Sequence, residues 1–591
     1  MPWPFSSSSS WRDVARTKLA LRDDVVAAEA ARAPDNASPS SSESQLTQAY
    51  LRATAREIVQ RIGDGEWTAS QVLEAYIERA VLAQNVTNCL TEVMFEDARE
   101  TALELDAEFA ATKKLRGPLH GVPISFKDIF DIKGYDTTLG FTSCAGQPAP
   151  DDAHLVRVVR EAGGVILAKT NIPQTMLFFE CINPLWGRTT NPHNAAFTCG
   201  GSSGGEAALL AMDGVALGWG NDIGGSLRIP PSYCGIYSLK PCWMRISGGG
   251  TRNCWAGFEA LRATVGPMGR SVDDLELAAR LTFGARDNGP EPAPVPFREV
   301  KLPQRLRFGY YLSDELVKPS PACQRAVREA VNALRRAGHE CVEVKVPDPA
   351  RPIELFVGLT SGDGYKTLTK PIDPDPTEPS LFMMLMGPKV FDWVRSLCDW
   401  AVRAAYNDHI FARIVRAARK KSVYEFWQWT DMRDKYRELF YREVWDKHEL
   451  DGIIAPVQAI PALPNDTVKF LPMLAGPTIL YNIIDNPVGT VPVTHVDAVL
   501  DVHTAEWSDP KASGGHGSRI YERMLYEAGM TSKFKKGYYD AKRMEGLPVA
   551  VQVVGRQWED EKVLAMMRVV DDALGERGFG PLSWKGQKKD P

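Results

Sequence analysis

The sequence predicts an α/β fold built around a large, mostly buried sheet, and two patterns carry the prediction. Apolar runs at residues 122–126, 165–168, 215–219 and 453–455 are short and nearly free of polar interruption, as expected of strands covered on both faces. Stretches of helical character, such as 154–162 and 206–212, alternate with them in the rhythm of layered α/β domains.

Taken in chain order, residues 11–31 read as a mixed amphipathic helix, followed by a linker over Ala33-Pro34-Asp35-Asn36 and 38–42. A single helix is expected from about residue 44 or 45 to the stop signal Gly63-Asp64-Gly65. Thr68 with Gln71 forms a capping box, and Val72, Leu73, Tyr76 and Ile77 supply an apolar face behind it. Past the inner strands already named, residues 491–494 precede a polar insertion through Gly514-Gly515, 547–554 read as another inner strand, and 559–572 as a closing helix. No repeat or clean linker divides 117–580. The expected division is therefore a 1–43 N-terminal extension, a 44–116 helical region packed on the core, a single 117–580 domain and a 581–591 tail.

Composition excludes several classes. With 44% apolar and 24% charged residues the chain is ordinary globular material, and a net charge of −5 over 591 residues leaves no general footprint for nucleic acid. The ten cysteines include no C-x-x-C pair, which fits buried thiols in a reducing compartment. The nine histidines are scattered without H-E-x-x-H, so no metal is expected. Residues 1–10 lack the charged-then-apolar run of a secretory signal, and no apolar run reaches the roughly 18 residues a spanning helix needs. A cytoplasmic location, with at most peripheral membrane contact, is the expectation.

Residues 381–421 break the α/β rhythm. Phe382, Met383, Met384, Leu385, Phe391, Trp393, Leu397 and Trp400 are followed by Ile410, Phe411, Ile414 and Val415, with Arg413, Arg416, Arg419, Lys420 and Lys421 beside them. Such a segment can face an anionic membrane or cover an apolar substrate entrance. The plainer alternative is a surface helix pair packed on the core with a solvated basic side.

The densest chemical signal is Cys199-Gly200-Gly201-Ser202-Ser203-Gly204-Gly205-Glu206, followed by Gly220-Asn221-Asp222-Ile223-Gly224-Gly225-Ser226-Leu227-Arg228-Ile229-Pro230. Glycines around a serine let the backbone turn sharply and aim N–H groups at one point, where they can stabilise an oxyanion. The phosphate-loop and dinucleotide patterns are both absent here. A serine hydroxyl needs a base, and a lysine desolvated enough to lose its proton can serve. Lys127, closing the apolar run in Gly121-Val122-Pro123-Ile124-Ser125-Phe126-Lys127-Asp128, is a candidate only when read with the serine loops.

Together these segments closely resemble the amidase signature family, through G-G-S-S-G-G-E at 200–206, D-I-G-G-S-L-R-I-P at 222–230 and G-V-P-I-S-F-K-D at 121–128. The resemblance spans roughly residues 45–575. It implies the amidase signature fold, a large central mixed β-sheet surrounded by helices, with 117–580 as the catalytic domain. It further implies a Ser-Ser-Lys triad: Ser226 as nucleophile, Ser202 as bridging serine after a cis Gly201-Ser202 peptide, and Lys127 as base. Backbone N–H groups of Ile223, Gly224, Gly225 and Ser226 would form the oxyanion hole, with Ser203, Asp222 and Arg228 supporting the loop. No cofactor is implied. Two positions depart from the family pattern: Asn221, where Thr or Ser is usual, and Pro231, where a small residue is usual.

The implied reaction is serine-dependent hydrolysis of carboxylic amides to a carboxylate and an amine or ammonia through an acyl-enzyme. Gly309-Tyr310-Tyr311 and the segments 296–299, 481–489 and 546–552 resemble the fatty-acid amide hydrolase branch, which carries a membrane-facing cap where this chain has 381–421. That implies long-chain acyl amides as substrates, with peripheral membrane contact and a homodimer left open and no nucleic-acid partner. Short-chain or aromatic amides, a transamidation subunit, and a non-catalytic binding protein of the same fold are the alternatives.

Overall fold

The computed structural model describes residues 10–32, 41–286, 292–509, 516–530 and 532–588. Its strands in chain order are β1 (Leu90–Val93), β2 (Pro123–Lys127), β3 (Val165–Thr170), β4 (Ile182–Asn183), β5 (Gly187–Arg188), β6 (Leu217–Asp222), β7 (Tyr237–Lys240), β8 (Thr264–Gly269), β9 (Arg307–Tyr310), β10 (Glu340–Glu343), β11 (Gly452–Pro456), β12 (Val488–His495) and β13 (Pro548–Val554). Eleven of them form one sheet in the order β1-β3-β2-β6-β8-β7-β12-β13-β11-β9-β10, while β4 and β5 make a separate small hairpin. The sheet is mixed: β2 runs parallel to β3 and β6, and β9 parallel to β10 and β11, whereas the central pairings are antiparallel. The α/β expectation with a large mixed sheet is thereby met.

Every residue of β2, β3, β11 and β13 is buried, which is why their segments read as mainly apolar runs and not as alternating ones. Phe126 of β2 stands opposite Trp219 of β6, and their rings stack with centroids 5.4 Å apart. Such a pair adds about 0.5–1.5 kcal/mol beyond its buried area and opposes register slip between the two strands. Pro492 would interrupt a regular ladder; it sits where the β12–β13 register shifts, at an irregularity that tolerates a missing N–H.

The N-terminal helices follow the reading with one correction. The single helix expected from residue 44 to 63 is two, Ser41–Arg52 and Ala55–Gly63. Thr54 interrupts it as an N-cap: its Oγ1 accepts from Glu57 N at 3.2 Å while its own N–H donates to Glu57 Oε2 at 2.7 Å. The Thr68–Gln71 capping box opens helix Ala69–Thr87 as expected. Helix Trp11–Arg32 docks less through apolar contacts than through buried charges: Lys18 bonds Asp136 at 2.9 Å, Arg22 the Leu90 carbonyl at 2.9 Å, and Glu29 receives both Arg99 Nη atoms at 2.8 Å. Of the expected linker, residues 33–40 lie outside the described residues, as does the insertion around Gly514-Gly515.

The 381–421 segment forms helices Phe382–Met386, Asp392–Tyr406 and His409–Ala417. Its basic residues are not simply a solvated face. Arg413 pairs with Asp348 and Glu354, both at 2.6 Å, Arg419 with Glu425 at 2.8 Å, and Lys421 donates to the Ala417 carbonyl at 2.9 Å. The segment also exposes large apolar side chains: Phe391, Trp393 and Trp400 are 73%, 70% and 66% accessible. No helix among the described residues is long and apolar enough to cross a membrane, and no group of side chains there could hold a metal ion. All ten cysteines are free, and eight are buried.

Candidate active site

Because β2 and β6 run parallel, their C-terminal ends reach the same edge of the sheet, and loops leaving that edge can converge on one point. Lys127 ends β2 and Asp222 ends β6. Ser202 lies in the glycine-rich turn before helix Gly204–Ala211, and Ser226 in the turn between β6 and helix Ile229–Cys234. The turn tolerates no side chain at Gly201, whose Cβ would fall 2.7 Å from the Phe178 carbonyl oxygen, and the Gly201–Ser202 peptide is cis.

The three side chains form a continuous chain of contacts. Lys127 Nζ lies 2.6 Å from Ser202 Oγ, which lies 2.8 Å from Ser226 Oγ. Lys127 also donates to Asn221 Oδ1 at 2.7 Å. Burial pushes the Lys127 amine down from 10.5 to about 7, against the opposing influence of Asp222, Cys181 and Glu206, which favour the ammonium. The direction of donation along the chain follows that charge. An ammonium donates toward Ser202 and Ser202 toward Ser226; a neutral amine can accept from Ser202, and Ser202 from Ser226.

Asp222 and Arg228 organise the Ser226 turn. Asp222 Oδ1 accepts from Gly225 N at 2.9 Å and Oδ2 from Leu227 N at 2.8 Å, while Arg228 grips both carboxylate oxygens at 2.9 and 3.1 Å. Burial opposes the carboxylate, but Arg228 outweighs it and holds Asp222 at about 2. The remaining guanidinium hydrogens reach the Thr478 carbonyl at 2.6 Å, Asn482 Oδ1 at 2.6 Å and Gln552 Oε1 at 3.1 Å, so the ion pair is fully partnered, as a buried pair must be. Of the N–H groups around Ser226, that of Gly225 is thus committed to Asp222, whereas those of Ile223, Gly224 and Ser226 have no acceptor among the described residues. Ser203 Oγ is buried beside this turn with no hydrogen-bond partner among the described residues. Pro231 falls in the first turn of Ile229–Cys234, where no backbone N–H is needed, so that departure is absorbed without cost to the helix.

Several neighbours escaped the motif reading. Asn482 and Gln552 lay inside segments noted only for their resemblance, and their link to Arg228 across more than 250 residues leaves no local trace. Glu206 closes the glycine motif; buried between Ser125 and Thr170, it is raised to about 7. Its partners lie on β2 and β3, which sequence spacing does not reveal.

Two cavities meet at Ser226. One, of about 440 Å³, is walled mainly by apolar side chains including Phe178, Ile353, Phe356, Phe411 and Met524, and extends to Met383 and Met386 of the 381–421 segment. The other, of about 280 Å³, is more polar, with Ser202, Asn221, Trp243, Asn253 and Arg262 in its wall. An acyl compound whose carbonyl carbon sat at Ser226 would extend one arm into each.

The chain resembles known proteins over most of its length. The Amidase family model matches residues 71–564. The chain is 34% identical over 520 residues to Amidase 1 of Gibberella moniliformis, covering 86% of this chain and 90% of that one. It is 33% identical over 520 residues to Fatty-acid amide hydrolase 1 of Sus scrofa, covering 87% and 84%. Among solved structures, a fatty acid amide hydrolase superposes with a TM-score of 0.78 at 26% identity, over 97% of this chain and 92% of that one. A 6-aminohexanoate cyclic dimer hydrolase, at 22% identity and a TM-score of 0.66 over 90% and 100%, shares the fold. The chain belongs to the amidase family and is a hydrolase of carbon–nitrogen amide bonds.

Proposed function

We propose that Ser226 is the nucleophile, Ser202 the relay and Lys127 the base, and that the preferred substrates are amides of long apolar acyl groups. The observation that carries the first part is the unbroken contact Lys127–Ser202–Ser226 with a buried lysine at about 7. Neutral Lys127 takes the Ser202 proton as Ser202 takes that of Ser226, and the Ser226 Oγ–carbon bond forms. The N–H groups of Ile223, Gly224 and Ser226 face the resulting oxyanion, while the Gly225 N–H holds the turn through Asp222. The proton returns through Ser202 to the amide nitrogen, the carbon–nitrogen bond breaks and the amine leaves. Water then attacks the acyl carbon as its proton passes through Ser202 to Lys127; the Ser226 Oγ–carbon bond breaks, the proton returns through Ser202 to Ser226 Oγ, and the acid leaves as its carboxylate.

The long-acyl reading is supported by the apolar cavity, whose volume lies in the range of ligand sites, and by its extension to a segment exposing Phe391, Trp393 and Trp400. Apolar side chains of this size left in water fit insertion into a lipid surface, from which a fatty amide would enter. The test is hydrolysis of primary amides of graded chain length, with and without vesicles. kcat/KM should rise with chain length, and replacing Trp393 and Trp400 by Ser should lower vesicle co-sedimentation and flatten the series. Equal turnover of acetamide and long-chain amides would contradict the substrate reading while leaving the catalytic roles standing.

A further inference from the structure

The proposed route requires the Lys127 lone pair to point at Ser202 Oγ, and two polar side chains compete for the nitrogen: Ser202 Oγ at 2.6 Å and Asn221 Oδ1 at 2.7 Å. An amide carbonyl can only accept. Occupied by one Nζ–H, it leaves the lone pair free to turn toward Ser202. A Thr or Ser hydroxyl at the same place could donate to that lone pair and compete with the relay. Asn221 is well anchored for the task. It lies in β6 opposite Val265 of β8, two residues from Trp219, whose stacking on Phe126 opposes slip between the strands that carry Lys127 and Asn221. Its Nδ2 has no acceptor among the described residues, and the residue forms part of the wall of the polar cavity.

We propose that Asn221 is a positioning residue for Lys127, its Oδ1 directing the amine lone pair at Ser202 Oγ. The proposal rests on Lys127 being the base. The other groups facing Lys127 are Asp222 from β6, Cys181 from the connection after β3, and Glu206 from helix Gly204–Ala211; each favours the ammonium, and the Asn221 contact is the one that also fixes direction.

The test is the pH dependence of kcat and kcat/KM for two variants, with Lys127→Ala in parallel and thermal melts to verify folding. Asn221→Asp keeps the shape but sets a carboxylate against the ammonium, so the acid limb should move to higher pH by at least about one unit. Asn221→Leu removes the acceptor: the limb should move to lower pH, and the plateau kcat should fall at least about tenfold with KM little changed. Acid limbs and plateaus that coincide with the parent in a folded variant would overturn the proposal. Turnover retained by Lys127→Ala would instead overturn the base itself, whereas an inactive Lys127→Ala beside unshifted Asn221 variants would sink only the positioning role.

Discussion

Replacing Lys127 by Met should abolish turnover and yet leave the protein at least as stable near neutral pH. Displacing a buried amine from 10.5 to about 7 corresponds to about 5 kcal/mol of folding free energy spent on holding it there. Methionine removes that penalty and fills a similar volume. Against this, Ser202 Oγ and Asn221 Oδ1 each lose a partner, at about 1–3 kcal/mol apiece if left unsatisfied. The two contributions leave the variant between roughly neutral and a few kcal/mol more stable. The sign with pH is fixed. Below about 7 both folded and unfolded parent carry the proton and the penalty is full; between 7 and 10.5 the unfolded chain is protonated and the folded one is not, so the penalty fades as pH rises. Any advantage of Lys127→Met in thermal or denaturant unfolding should therefore be greatest in acid and shrink toward alkaline pH. A variant destabilised by several kcal/mol, with a difference from the parent that does not change with pH, would refute the claim that Lys127 is held against its desolvation cost.

For the parent, kcat/KM should rise through an acid limb centred near pH 7 as Lys127 loses its proton, and Glu206→Gln should move that limb to lower pH without abolishing it, since Glu206 favours the Lys127 ammonium but bonds Ser125 and Thr170 and not the relay. Asp222→Asn should cost about 3–5 kcal/mol in chemical denaturation, because it leaves the Arg228 charge buried without its counter-ion, and should depress kcat by loosening the Gly225 turn. Thr54→Ala should cost about 1 kcal/mol through the lost cap and leave kcat unchanged.

What was legible in the sequence was whatever is local. The fully buried strands β2, β3 and β13 announced themselves because both faces are covered, and the glycine turns because close backbone approach excludes side chains. The break at Thr54 was equally local, with Glu57 three residues on, but the apolar periodicity running through it hid the cap. The Asn482 and Gln552 contacts to Arg228 depend on chain segments brought together only by the fold. Asn221 was visible as a departure from a pattern, yet its contact with Lys127 depends on the parallel alignment of β2 and β6. The same holds for the commitment of the Gly225 N–H to Asp222, which a glycine-rich motif alone cannot distinguish from a free donor. Arg413 looks solvated in sequence because its acidic partners Asp348 and Glu354 lie some sixty residues earlier in the chain.

The central claim is that an acyl group is carried on Ser226. Rapid acid quench of the enzyme turning over an activated amide, followed by mass spectrometry of its peptides, tests it most directly. A mass increase equal to the acyl group is expected on the peptide containing Ser226, absent in Ser226→Ala and slow to form in Lys127→Ala. An acyl adduct on another residue, or unimpaired hydrolysis by Ser226→Ala, would contradict it.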